Sequence, residues 1–113
     1  MEVWKKSIEL AEMVYRLSAN FSQDERFGMT NQIRRAAVSV PANIAEGAER
    51  EGTKEFLPFL SIASGSLAET ETFLILAHRL GMTQESAISP LMEQAGHVGR
   101  MVNGLKRSLR SAT

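Results

Sequence analysis

The chain has no cysteine. That removes disulfides, cysteine-based zinc sites and thiol nucleophiles from consideration, and it fits a reducing compartment. Net charge is missing too, since 13 basic residues balance 13 acidic ones. A dedicated nucleic-acid binder usually carries a basic excess, so any such contact has to come from the distribution of charge rather than its sum. Zero net charge gives little colloidal repulsion and leaves self-association easy. The start, Met1-Glu-Val-Trp-Lys-Lys6, has no long apolar run behind it, because Glu9 and Glu12 interrupt the segment. A secretory signal is therefore not expected. No stretch reads as the ~20 apolar residues of a membrane span, so the expectation is a cytoplasmic protein with no membrane partner. Strand alternation, internal repeats and low-complexity linkers are also absent. At 113 residues the chain is expected to be one domain, large enough to bury a single core.

What the sequence does have is apolar residues at three- and four-residue steps almost from end to end. Helix 1 is expected over residues 3–18, with Trp4, Ile8, Ala11 and Tyr15 as its stripe and Leu10, Val14 and Leu17 widening it. Ser22 to Glu25 has capping-box spacing for a short turn. Helix 2 is expected over 30–50, with Met29, Ile33, Ala37, Val40 and Ile44 on one face. Its small residues Ala36, Ala37, Ser39, Ala42, Ala45, Gly47 and Ala48 leave room for close helix approach. Pro41 deprives the Ala37 carbonyl of its helical donor, at a cost of roughly 3 kcal/mol, and predicts a helix bent at that point. Gly52 reads as a stop and Thr53 as the next N-cap. Helix 3 is expected over 54–80, with Phe56, Leu60, Ala63, Leu67, Thr70, Leu74 and Ala77 in heptad-like order and Gly81 as its stop. Helix 4 is expected over 84–110, starting after Thr83 or, alternatively, after Ser89 with Pro90 as its first residue. Its stripe is Ile88, Leu91, Ala95, Val98, Val102, Leu105 and Leu109. Short connections between amphipathic helices predict an all-α, antiparallel up-down-up-down four-helix bundle spanning 1–113.

Three pieces of the chain carry a resemblance. They are Val3-Trp-Lys-Lys6, Phe27-Gly-Met-Thr-Asn-Gln-Ile-Arg-Arg-Ala-Ala-Val-Ser-Val-Pro-Ala-Asn-Ile-Ala-Glu-Gly47 and Phe56-Leu-Pro-Phe-Leu-Ser-Ile-Ala-Ser-Gly-Ser-Leu-Ala-Glu-Thr-Glu71. With them the chain resembles the bacterial four helix bundle protein family, also named for the intervening sequences of large-subunit ribosomal RNA genes. Helix 4 matches in pattern only. The resemblance implies an antiparallel four-helix bundle and ring-shaped homo-oligomers, typically pentamers. It also implies kinship with the accessory variability determinant protein of retroelements, which accompanies a reverse transcriptase and is thought to bind nucleic acid and that enzyme. The family carries no catalytic motif to transfer.

Each candidate residue has a structural reading beside the functional one. Arg34 and Arg35 suit bidentate phosphate contact, or pairing with Glu69, Glu71 or Glu46 in the chain or in a neighbouring subunit. Adjacent helical residues point ~100° apart, so both arginines cannot face one way. Asn43 and Glu46, one turn apart, could serve acid–base chemistry or simply bond a helix end or a subunit neighbour. Metal-binding bundles need Glu-x-x-His pairs, and neither Glu71 with His78 nor Glu93 with His97 has that spacing. Trp4 reads as a packing anchor between helices or subunits, and the 6 methionines as filler.

The strongest positive signal is basic. In the antiparallel layout Lys5, Lys6, Arg50, Lys54, Lys106, Arg107 and Arg110 fall near one end, together with Glu2, Glu46, Glu49, Glu51 and Glu55. Helix 4 alone is unbalanced: no acid follows Glu93, whereas Arg100, Lys106, Arg107 and Arg110 do. Cations at a helix C-terminus also complement the macrodipole. Repeated around a ring, the tip becomes a surface whose phosphate contacts add. No aromatic interleaves it, so base stacking is not indicated. The expectation is a non-enzymatic, cofactor-free, ring-forming bundle that contacts RNA, DNA or a reverse-transcriptase-like protein. The alternative is a purely structural or protein-interaction oligomer.

Overall fold

The computed structural model describes residues 1–112. They form four helices, α1 (Glu2–Ser18), α2 (Met29–Ala48), α3 (Thr53–Arg79) and α4 (Glu85–Ala112), with a short 3-10 turn at Gln23–Glu25. Each helix packs on its two neighbours in the order 1-2-3-4-1, the backbones of the diagonal pairs stay apart, and one core joins all four. This is the up-down-up-down bundle, a rod of 47 × 24 × 18 Å. One end holds the start of α1, the α2–α3 connection and the end of α4.

The helix ends follow local chemistry. Gly81 takes φ +76°. Its N–H donates to the His78 carbonyl at 3.0 Å, and the Met82 N–H donates to the Ala77 carbonyl at 2.9 Å. This pair of bonds closes a Schellman ending, which satisfies carbonyls the helix leaves open. Two expected caps do not form. Ser22 makes no capping bond; instead Glu25 Oε1 accepts the Met29 N–H at 3.3 Å, covering the first amide of α2. Thr53 is the first helical residue rather than a cap, because Gly52 at φ +124° holds the preceding position. α4 starts at Glu85, so Pro90 lies inside it rather than at its head. α2 runs without a break through a buried Pro41.

The core stripes of α2, α3 and α4 are those the spacing implies. Ile33, Ala37, Val40, Ile44, Leu60, Ala63, Leu74, Ala77, Ala95 and Val98 have no exposed surface. In α1 the expected stripe holds at Leu10, Ala11 and Val14 but not at its aromatic ends. Val3, Ser7, Leu10, Ala11, Val14 and Ser18 are buried, while Trp4 and Tyr15 are 38% and 45% exposed. Two serines hid the true face. Ser7 donates to the Trp4 carbonyl and Ser18 to the Val14 carbonyl, each at 2.7 Å, and a hydroxyl satisfied by its own helix tolerates burial.

α2 and α3 form the most extensive contact. A Cβ on Gly47 would lie 2.7 Å from Phe59 Cβ, and Ser66 donates to Ser39 Oγ at 2.8 Å. α3 also meets the length and mean hydropathy (1.2) of a membrane-crossing helix, contrary to the sequence expectation. Only 33% of that apolar window is buried in the bundle. Much of the apolar surface of α3 therefore faces outward.

Candidate nucleic-acid interface

The core residues of α4 set what it turns outward. With Ile88, Leu91, Ala95, Val98 and Val102 buried, the exposed face carries Glu93, His97, Arg100, Asn103, Arg107 and Arg110. Leu67 fixes the level of α3, since a Cβ on Gly99 would meet Leu67 Cδ2 at 3.3 Å. Antiparallel packing then places Ser64, Ser61 and Lys54 successively further along the same edge, toward the end of α4. From Phe56 to Ala68, α3 carries no charged residue. The edge thus gathers Lys54, Arg100, Lys106, Arg107 and Arg110 with no acid between them. From Arg100 to Arg110 it spans about 15 Å of helix rise.

Four of the cations on this edge are available. Lys54, Arg100 and Arg107 are exposed, Lys106 is half-buried, and among the described residues these four make no ion pair or side-chain hydrogen bond. Glycines give two of them room: Arg100 Nη1 lies 3.4 Å from where a Cβ on Gly96 would stand, and Arg107 Nη2 lies 3.8 Å from the same point on Gly104. Of the other basic residues of that end, Lys5 is exposed on α1, outside this edge, and two are engaged. Lys6 pairs with Glu9 at 3.4 Å. Arg50 pairs with Glu46 at 3.0 Å and lies over the Phe59 ring at 4.9 Å. The broad basic end read from the sequence narrows to the α3–α4 edge.

The α2 candidates separate. Arg34 does not meet a glutamate of α3. It donates from Nε to Ser18 Oγ at 2.8 Å and from Nη2 to the Tyr15 carbonyl at 3.2 Å, with its guanidinium 4.5 Å from the Tyr15 ring centre. The reason is register: Ala37 and Ile44 face the core, so Arg34 falls on the α1 side. Arg35, ~100° further round, shares a cleft with Gln32, Ser39, Ser66 and Glu69, yet no ion pair joins Arg35 to Glu69 among the described residues. Asn43 is spent on Ser39, donating to its carbonyl at 2.8 Å and its Oγ at 2.9 Å. Glu46 faces Arg50 instead, so the Asn43–Glu46 pair is not assembled. Among the described residues no cluster of metal-ligating side chains exists.

Two predictions arise from these contacts. Arg34→Lys keeps the charge but cannot reproduce the fork and the stacking. It should lower stability by about 1–2 kcal/mol, read as a lower denaturation midpoint with an unchanged slope. Glu71 is half-buried, and burial raises its carboxyl above the ordinary 4.5. The folded chain then holds that proton more tightly than the unfolded chain. Its contribution is therefore greatest below 4.5 and is lost as pH rises through the raised value. Glu71→Gln should raise Tm at neutral pH and converge with the parent below about pH 4.

The structure also exposes large apolar side chains that the sequence reading did not place. Trp4 and Tyr15 on α1, Val38 on α2, and Ile62, Ile75 and Leu76 on α3 are exposed, with Leu80 and Phe27 at the far end. α4 contributes no exposed large apolar side chain. The mean hydropathy of α3 carried the signal, masked by its regular core stripe.

Comparison with known proteins agrees with the bundle fold. A family model described as 23S rRNA-intervening sequence protein matches residues 1–104. A crystal structure from Bacteroides thetaiotaomicron, of a protein of unknown function from the S23 ribosomal protein family, superposes with a TM-score of 0.82. It is 25% identical and covers 92% of this chain and 97% of its own. No curated protein matches the chain.

Proposed function

The chain belongs to the 23S rRNA-intervening sequence protein family, and from that premise we propose a non-enzymatic, self-assembling bundle that holds nucleic-acid phosphates with its α3–α4 edge. One observation carries the reading: five cations gather along one edge with no acid between them, in a chain whose net charge is +0. In such a chain a local excess of this kind needs a use. Phosphate contacts release counterions and supply affinity without sequence reading.

Self-assembly multiplies the effect. The exposed apolar side chains of α1 to α3 favour burial against further copies, which leaves α4 outward. A closed ring, a pentamer by family resemblance, repeats the edge, and contacts on one strand then add as avidity. A reverse-transcriptase-like protein would be recruited through the nucleic acid that both hold.

The test pairs light scattering with binding titrations at several salt concentrations. The reading expects an oligomer at micromolar protein and an affinity that rises steeply as salt falls. A monomer refutes the ring, and absence of binding at low salt refutes the phosphate contact. The apolar surface favours a second reading, a structural or protein-interaction oligomer. It expects the oligomer with no nucleic-acid binding at any salt.

A further inference from the structure

We infer that the ligand of the α3–α4 edge is double-stranded nucleic acid, held by its phosphates without base readout. The inference rests on the proposed phosphate contact and sharpens it.

Two observations separate duplex from single strand. The first is an absence beside the cations. α4 has no Phe, Tyr or Trp, and Phe56 and Phe59 of α3 turn the other way, onto Gly47 of α2. Single-strand binders offset the ordering of a flexible chain by stacking its bases on aromatic rings. The one ring near this edge is the small imidazole of His97, a turn before Arg100.

The second is rigidity. Four of the cations stand on one unbroken helix with fixed spacing: Arg100, Lys106, Arg107 and Arg110 lie about 9, 10 and 15 Å along the axis from the first. A duplex presents one phosphate per ~1.7 Å of its own axis, so the ridge faces roughly nine phosphate charges, or about four to five base pairs. A stiff row of cations meets a stiff row of phosphates without ordering either. Ser61, Ser64 and Asn103 flank the row with hydrogen-bonding groups suited to phosphate or sugar oxygens. Of these three flanking groups only Asn103 has the amide for a bidentate contact to a base edge, so the serines serve the backbone alone.

The experiment compares fluorescence anisotropy with a labelled duplex RNA of about 20 base pairs, the same duplex as DNA, and a uridine single strand of equal length. Both duplexes should bind at least about tenfold tighter than the single strand at equal salt, whatever their base composition. The log–log salt slope for duplex DNA should be about −4, and Arg100→Ala with Arg107→Ala should flatten it by about 2. A single strand that binds as tightly as the duplexes overturns the duplex assignment and leaves the phosphate contact standing. Failure of all three probes overturns both. A preference for one duplex sequence of more than about tenfold overturns the absence of base readout.

Discussion

Changing Lys106, Arg107 and Arg110 together to glutamate is expected to weaken nucleic-acid binding by roughly 500-fold at 0.1 M salt. Each phosphate contact on a duplex contributes about 0.9 to the log–log salt slope. At 0.1 M that is about 0.9 decade of affinity per contact, and three contacts give nearly three decades. Repulsion between the new carboxylates and the phosphates adds to the loss. Stability should change far less. None of the three belongs to the buried stripe of α4, and removing cations from the last turns of a helix costs about 0.3–1 kcal/mol each at the surface. A melting curve and an unchanged oligomer mass show that the fold survives. The matched control is Lys6→Glu with Arg50→Glu, at the same end of the rod. Those cations are already paired with Glu9 and Glu46, so affinity should fall by no more than about threefold. If both variants weaken binding equally, the contact is diffuse attraction to the whole end and the α3–α4 edge has no special part.

That contrast marks where sequence alone stopped. The basic run after Glu93 is visible in the chain, and so is the bundle, because α2, α3 and α4 repeat apolar residues at unbroken helical steps. What the run adjoins is a matter of packing. Lys54 joins Arg107 and Arg110 only because α3 and α4 are antiparallel at the level where Leu67 meets Gly99. Lys6 and Arg50 leave the group only because Glu9 and Glu46 lie one turn away on the same helix faces. α1 was misread for a different reason. Trp4, Ile8 and Tyr15 are expected inside beside Leu10 and Val14, yet it is Val3, Ser7 and Ser18 that join those two in the core. Hydrophobicity ranks residues by transfer out of water, and a serine bonded to its own helix escapes most of that penalty. The aromatic stripe it displaced outward is now part of the proposed assembly surface. Arg34 shows the same limit: its fork onto Ser18 and the Tyr15 carbonyl depends on the level at which α1 and α2 pair, which one helix cannot reveal.

The second large effect tests the frame that holds the edge. Gly47→Ala is expected to destabilise the bundle by about 2 kcal/mol, within the range for overpacking a close contact, and to lower Tm by roughly 10 °C. Helix propensity argues the other way. Glycine inside a helix is worse than alanine by about 0.5–1 kcal/mol, so the substitution would stabilise an isolated α2. Packing decides the sign. The new Cβ would stand 2.7 Å from Phe59 Cβ and 2.8 Å from Phe56 Cδ1. The Phe56 ring can turn away, but Phe59 Cβ is fixed to the α3 backbone, so the helices themselves must part. Parting them strains the 2.8 Å bond from Ser66 to Ser39, a further loss of about 1 kcal/mol if it breaks. Gly65→Ala supplies the opposite case. It lies inside α3 with nothing within 4 Å of the added carbon, so only propensity acts and stability should rise by about 0.5–1 kcal/mol. Opposite signs from one substitution in adjacent helices would tie Gly47 to the α2–α3 contact. Two rises would mean that α2 has slack against α3 and that its run of small residues serves the outer surface instead.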